Sequence, residues 1–354
     1  MKPEGAKPLP EHLPAPSFAP PLLAVGLMLL FWGAISSWLI SAAGLLLTGF
    51  AGALWITDLR PRALREAAPT LETVRKPVRA AHVVPSSTRF LDVVAANPWV
   101  YRCALALAIS TLAVVVTGAI VTSEVTPASS GIQSAHLVAG ALTGVFAIAL
   151  AFWIRPLGWI LLLALAVEVT LGNRALLAAC LHALLAQFFF SGSIAVALLT
   201  SPGWRRVPAL TDDMARPSLR LLCSITLALV VIQVTLGALV RHKIMGAGLH
   251  ITFALVVALM LVILGVLVCN QCAAHRILRP CAIAMMVIAG TQVFLGFGAF
   301  IVRMMADEGS VPLVITTVAH VTTGALTLAA TVVLTFQLHR HLRPAPAPKG
   351  AVVP

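Results

Sequence analysis

Apolar residues in this chain come in long unbroken runs. They neither alternate nor recur every third or fourth position. Ten runs, at about 21–37, 39–57, 103–122, 135–154, 157–172, 177–200, 219–240, 247–269, 281–302 and 313–337, are separated by short polar stretches. Runs of this kind predict helices that cross a bilayer, because a spanning segment needs about 20 mostly apolar residues and lipid offers no partner to a bare amide or carbonyl. The pattern therefore predicts an all-α, polytopic membrane protein of about ten transmembrane helices.

The polar stretches divide the chain. Residues 1–57 read as a proline-rich tail and a two-span hairpin, and 58–100 as a basic linker with too few apolar residues for a core of its own. Residues 101–200 and 219–340 each hold four spans. The loop 201–218 separates these halves, and 341–354 is a tail.

The eight-span part repeats itself, and repeats govern how single residues are read. Four helices end in a similar phrase: Val116-Thr117-Gly118-Ala119, Val169-Thr170-Leu171-Gly172, Val234-Thr235-Leu236-Gly237 and Val293-Phe294-Leu295-Gly296. Each is followed, after a loop, by a helix with a histidine near its start. These are His136, His182, His250 and His320, lying 18, 10, 13 and 24 residues beyond the matching glycine.

An imidazole within a span costs free energy unless it has a partner, so an intramembrane histidine marks a functional site or a hydrogen bond to a neighbouring helix. Four at equivalent repeat positions, two per half, suit a flat metallocofactor held between facing helices. Bis-histidine haem fits this better than zinc, which gathers three or four ligands in one cluster. Gly140 and Gly324, four residues after His136 and His320 on the same helix face, would let a porphyrin approach or serve helix packing. The other six histidines (His12, His82, His242, His275, His339 and His341) lie in tails, the linker or loop ends and read as solvated surface. Glu168, the one acidic residue well within a span, is either a proton-handling group or a neutral hydrogen-bonded carboxyl.

Charge sets the topology. The chain is 60% hydrophobic and 10% charged, with a net charge of +12 and a mean hydropathy of +0.99. The basic residues are distributed by side of the membrane and do not form a nucleic-acid footprint. With the N-terminus inside, 20 of the 24 Lys and Arg residues fall in cytoplasmic segments, so the positive-inside rule puts both termini in the cytoplasm. Arg174, Arg241, Lys243 and Arg303 are left outside, as partners for carboxylates such as haem propionates or as snorkelling helix ends. The six cysteines lie in or beside spans, which predicts no disulfide outside the membrane. Cys269-Asn-Gln-Cys272 has metal or redox spacing but no second pair.

With its eight-span duplicated plan, the phrases around Gly118 and Gly237-Ala238-Leu239-Val240-Arg241, and a histidine heading every second helix, the region 100–340 resembles the haem A synthase family. Those membrane enzymes oxidise the C8 methyl of haem O to the formyl of haem A for cytochrome c oxidase. The resemblance implies that His250 and His320 ligate a resident haem b, with Arg241 and Arg303 beside it. It implies that haem O, supplied by a haem O synthase, is oxidised through successive hydroxylations at His136 and His182, in a bacterial inner membrane. The family typically has a glutamate three residues before the first histidine. Gln133 stands there, so a step needing a carboxylate would fall to Glu124 in the same loop. Nor does 123–134 hold the cysteine pair of many bacterial members. The hairpin is similar to two-helix segments of cytochrome oxidase subunits, which makes such subunits candidate partners. The alternatives are a non-catalytic b-type cytochrome or oxidase-assembly factor that binds haem, and a transporter. A transporter should carry polar groups nearer the bilayer midplane.

Overall fold

The computed structural model describes residues 18–36, 38–59, 97–123, 130–172 and 175–344, and the chain divides into two compact units, 1–82 and 83–354. In the first unit, α1 (Ala19–Ser36) and α2 (Trp38–Leu59) form a tight hairpin. Gly26, Gly33 and Gly44 leave no room for a β-carbon against the facing helix. The Ser41 hydroxyl donates to the Leu30 carbonyl at 3.0 Å. Small residues of this kind let helix backbones close on each other where hydrophobic driving force is weak.

The second unit holds α3 (Pro98–Val121), α4 (Ser130–Trp153), α5 (Leu157–Leu171), α6 (Leu176–Thr200), α7 (Leu219–Arg241), α8 (Ala247–Gln271), α9 (Leu278–Met305) and α10 (Val311–His341). Among the described residues, eight helices are long and apolar enough to span a membrane, and α5 and the start of α1 form shorter apolar helices. The chain is a multi-pass, largely α-helical membrane protein.

Helix ends follow local chemistry. Asn97 caps α3 by accepting from the Trp99 amide at 2.9 Å, with Pro98 in the first turn. Ser218 caps α7 through the Leu221 amide at 3.2 Å. Along α10, Thr316, Thr323, Thr327, Thr331 and Thr335 each return their hydroxyl proton to the carbonyl four residues back, which satisfies a polar group without a partner helix.

Helix α3 packs on α4 and α6, and α5 packs on the same two. In the same way α7 packs on α8 and α10, and α9 on those two. Leu107, Leu150, Ile154 and Phe189 fill the first group of four. Leu222, Val257, Leu264, Met285 and Leu334 fill the second. The seam between them is made by α6 with α10, α3 with α10 and α6 with α7, around Val115, Ala186, Phe190, Ala325 and Ala329. Large apolar side chains such as Leu163, Val169 and Phe294 face outward, as a lipid-facing surface requires.

Several boundaries differ from the hydropathy reading. Helix α4 begins at Ser130, not near 135, and α10 runs to His341, not to about 337. Polar residues there continue the helical hydrogen-bond ladder beyond the apolar run, which hydropathy cannot register. The loop 201–218 is also more structured than an all-α reading implies. Thr211–Asp213 (β1) pairs in parallel with Leu342–Pro344 (β2), Thr211 opposite Leu342.

At this end of the molecule the buried Asp213 carboxylate accepts from the amides of Ala215, Leu219 and Arg220, at 3.3, 3.1 and 3.3 Å. It thereby holds the loop against the start of α7. Asp213→Ala is expected to cost about 1–3 kcal/mol, since it strands buried donors. Asp212→Ala, on the exposed neighbour, should change little. Thermal unfolding of the purified protein in detergent compares the two.

His341 corrects the expectation of a solvated surface. Only 3% of it is exposed, and its Nδ1 lies 3.0 Å from the Ala209 carbonyl, which the Nε2 of His275 also approaches, at 3.1 Å. The extra turn of α10 carries it under the loop, a fold-back that the loop's polar composition conceals. His339 is exposed, whereas His12 and His82 lie outside the described residues.

Candidate cofactor-binding site

The four repeat histidines meet in two pairs at one end of the eight-helix unit. His136 of α4 and His182 of α6 face each other with ring centroids 6.5 Å apart and planes at 74°. His250 of α8 and His320 of α10 stand 6.3 Å apart at 87°. Each pair joins the second and fourth helices of its group, because the helix that precedes each histidine ends beside it.

The glycine of each repeated phrase makes that approach possible. A β-carbon on Gly118, Gly172, Gly237 or Gly296 would meet, in every case, the Cε1 of the following helix's histidine, at 3.1, 3.7, 3.1 and 2.7 Å. The repeat is thus one physical unit, a helix end shaved flat and an imidazole laid against it. Gly296→Ala is expected to displace His320 and cost about 1–3 kcal/mol as overpacking. Gly172→Ala, with an ordinary van der Waals distance, should cost far less. Thermal unfolding midpoints of the two variants measure the difference.

Hydrogen bonds fix which ring nitrogen is free. Thr117 gives its hydroxyl proton to the Ala113 carbonyl at 2.7 Å, so toward the His136 Nδ1, 3.0 Å away, it can only accept. The Glu168 carbonyl lies 3.0 Å from the Nδ1 of His182 and also can only accept. Both rings therefore carry their proton on Nδ1 and present a bare Nε2, the form that binds a metal.

In the second pair the neighbours are amides. The Gln233 Nε2 lies 3.0 Å from the His250 Nδ1 and donates to the His250 carbonyl at 3.0 Å. The Gln292 Nε2 lies 3.4 Å from the His320 Nε2. The Oε1 atoms of Gln233 and Gln292 and the Nδ1 of His320 are buried without hydrogen-bond partners. With its amide nitrogen on both the His250 Nδ1 and the His250 carbonyl, Gln233 acts as a donor to that residue. Gly324 backs Gln292, whose amide nitrogen would be 3.1 Å from a β-carbon there. Gly140 has no atom within 4 Å of that position.

The cations serve several purposes. Arg241, at the end of α7, donates across the seam to the Ala119 carbonyl at 3.2 Å and to the hydroxyls of Thr122 and Ser123 at 2.9 and 2.6 Å. It clamps the end of α7, which carries Gly237, to the end of α3, which carries Gly118. Lys243 pairs with Glu308 at 2.9 Å, whose carboxyl is held below the usual carboxylate range by the Lys243 hydrogen bond and charge. Arg303 is exposed and close enough to Arg241 to repel it.

His242, expected on the solvated surface, is instead half-buried, with an Nε2 that has no access to water or partner. Burial lowers it below the usual histidine range, and the neighbouring Arg241 charge lowers it further. Its burial stems from the seam, which sequence spacing does not reveal. Gln133 is exposed in the first turn of α4, with no hydrogen bond among the described residues. Glu124 and Arg174 lie outside the described residues.

Among the described residues no three His, Cys, Asp or Glu side chains are gathered to hold a metal ion by themselves. Haem brings four nitrogens of its own and asks the protein for one or two axial ligands. Two imidazoles on opposite sides of one metal, each about 2.0 Å away through nitrogen and with its centroid about 1.1 Å behind that nitrogen, stand about 6.2 Å apart. The observed 6.5 and 6.3 Å lie near that separation, and the Gln292 amide stands 3.4 Å from the His320 Nε2. The six cysteines are free thiols. No family model matches the chain, and no curated protein matches it.

Proposed function

We propose that the chain is a haem-dependent membrane oxidoreductase of the haem A synthase kind, which converts the C8 methyl of haem O to a formyl group. The observation that carries this reading is the double histidine pair, built twice from the same helix end with ring centroids 6.5 and 6.3 Å apart. The two helix groups act as pseudo-symmetric four-helix haem-binding halves, α1 and α5 complete ten spans, and the basic residues put both termini in the cytoplasm of a bacterium.

His250 and His320 would hold a resident haem b, and His136 and His182 would hold haem O. Haem held there would supply electron transfer in the second half and, with an oxidant, the methyl oxidation in the first. The protein's own part is to present the imidazoles. Thr117 and the Glu168 carbonyl hold the Nδ1 protons of the first pair, and the glycines let the rings sit flush. Arg241 keeps the halves in register, and Arg303 offers an exposed cation to a propionate. A haem O synthase would deliver the substrate, and cytochrome c oxidase subunits would be partners of the hairpin.

Gln133 favours a second reading, a b-type cytochrome or assembly factor, because an amide cannot exchange a proton. Coexpression with a haem O synthase, followed by mass spectrometry of the extracted haem, separates the two. Haem A or hydroxylated haem O beside haem B establishes the oxidase, and haem B alone establishes the cytochrome.

A further inference from the structure

At the end of the second unit opposite the histidine pairs, the loop after α6 is pinned against the side of α10. The Arg340 guanidinium lies over the Trp204 ring at 4.1 Å and donates to the Arg206 carbonyl at 2.6 Å. Trp204 in turn meets Phe336 of α10 edge-on, with centroids 6.3 Å apart. Phe336 is 38% exposed and stands five residues before the end of α10, about 7.5 Å short of it. The stretch from Trp204 to Arg206 therefore lies beside the last turns of a spanning helix, where the apolar core gives way to headgroups and aromatic rings are favoured. Arg205 and Arg206 are exposed there. Among the described residues neither guanidinium has an ion pair or a hydrogen-bond partner. Val207, next to them, is 93% exposed.

The positive-inside bias accounts for the sign of these side chains. It does not account for an apolar residue left open beside them, or for the pinned tryptophan. The two acids of the loop are used elsewhere: Asp213 is buried on three amides, and Asp212 stands opposite Arg343 in the strand register. We propose that Arg205 and Arg206, with Val207, Trp204 and Phe336, form a binding site for an anionic phospholipid. The two guanidinia take the headgroup phosphate, which their planar forks suit through charge-assisted, bidentate hydrogen bonds. Val207 and the two rings meet its acyl chains. Arg340, engaged with the Trp204 ring and the Arg206 carbonyl, is a positioning residue. Occupancy of this site is independent of any haem at the other end of the molecule.

The test is native mass spectrometry of the full-length protein taken from micelles that hold phosphatidylcholine and phosphatidylglycerol in equal amounts, after loose lipid is removed. The wild-type protein is expected to retain phosphatidylglycerol in preference. Replacing Arg205 and Arg206 together by glutamine should lower the ratio of retained phosphatidylglycerol to phosphatidylcholine roughly twentyfold, about fivefold per arginine. Lys243→Gln, which removes an exposed cation at the opposite end, should leave the ratio unchanged. In lipid-free detergent, phosphatidylglycerol should raise the wild-type unfolding midpoint, and inorganic phosphate should not. That comparison needs no variant, so it decides the matter if the double replacement fails to fold. A wild-type protein without preference, a double variant that keeps the wild-type ratio, or a loss reproduced by Lys243→Gln overturns the proposal. So does a midpoint that inorganic phosphate raises as far as phosphatidylglycerol does, because the site would then hold a free anion.

Discussion

His320→Ala is expected to strip the purified protein of the b-type absorption assigned to its second half. His320 is wedged between Gly296, whose absent side chain admits the ring, and Gln292, and it faces His250 at 6.3 Å. Neither neighbour can replace an axial nitrogen. Alanine removes that nitrogen and leaves a cavity where the imidazole stood, at an added cost in stability. The reduced-minus-oxidised spectrum reads the effect, with nearly complete loss of the second-half band expected. His339→Ala is the control, because that histidine is exposed at the opposite end of the molecule, where its Nε2 lies 3.3 Å from the Ser224 hydroxyl. An unchanged spectrum in His320→Ala would defeat the ligand assignment.

The second large effect belongs to the first pair. His136→Ala or His182→Ala is expected to reduce haem A formation to background while the second-half haem stays in place. The two pairs have separate walls: Thr117, Gly118, Glu168 and Gly172 hold one, and Gln233, Gly237, Gln292 and Gly296 the other. Haem extracted from cells that coexpress a haem O synthase gives the readout. Loss of both haems from either variant would mean that the pairs do not act as independent sites. In the same assay Gln133→Glu should raise the yield of haem A if a carboxylate at that exposed position limits the reaction.

The alignment of four phrases with four histidines was legible in the sequence because a duplicated unit repeats its exceptions along with its hydropathy. The contact between each glycine and its histidine was not. It depends on how steeply the two helices meet across loops of different length, and the separations of 18, 10, 13 and 24 residues conceal that common geometry. The pairing of His136 with His182 and of His250 with His320 depends on helix order within each group, which no single span encodes.

Arg241 shows the reverse difficulty. Its type and its place among the few cations outside the predicted cytoplasmic segments suggested a partner for an anion or a snorkelling helix end, and neither reading foresaw that its guanidinium spans the seam to Thr122 and Ser123. A hydrogen bond between residues nearly 120 positions apart leaves no local signature. His341 was misread for a related cause: a basic C-terminal end reads as solvated until the loop at 201–218 folds over it. Spans are fixed by composition over about 20 residues. Seams and covered ends are fixed by contacts between distant segments.

Haem stoichiometry is the most direct test of the paired-histidine account. The full-length protein, loaded with haem b in detergent and freed of excess, is assayed by pyridine haemochrome against protein concentration. Two haems per chain are expected, falling to one when His136 and His182 are both replaced by alanine, to one when His250 and His320 are, and to none when all four are. A wild-type chain that retains no haem, or a fourfold variant that binds as much as the wild type, would contradict the account.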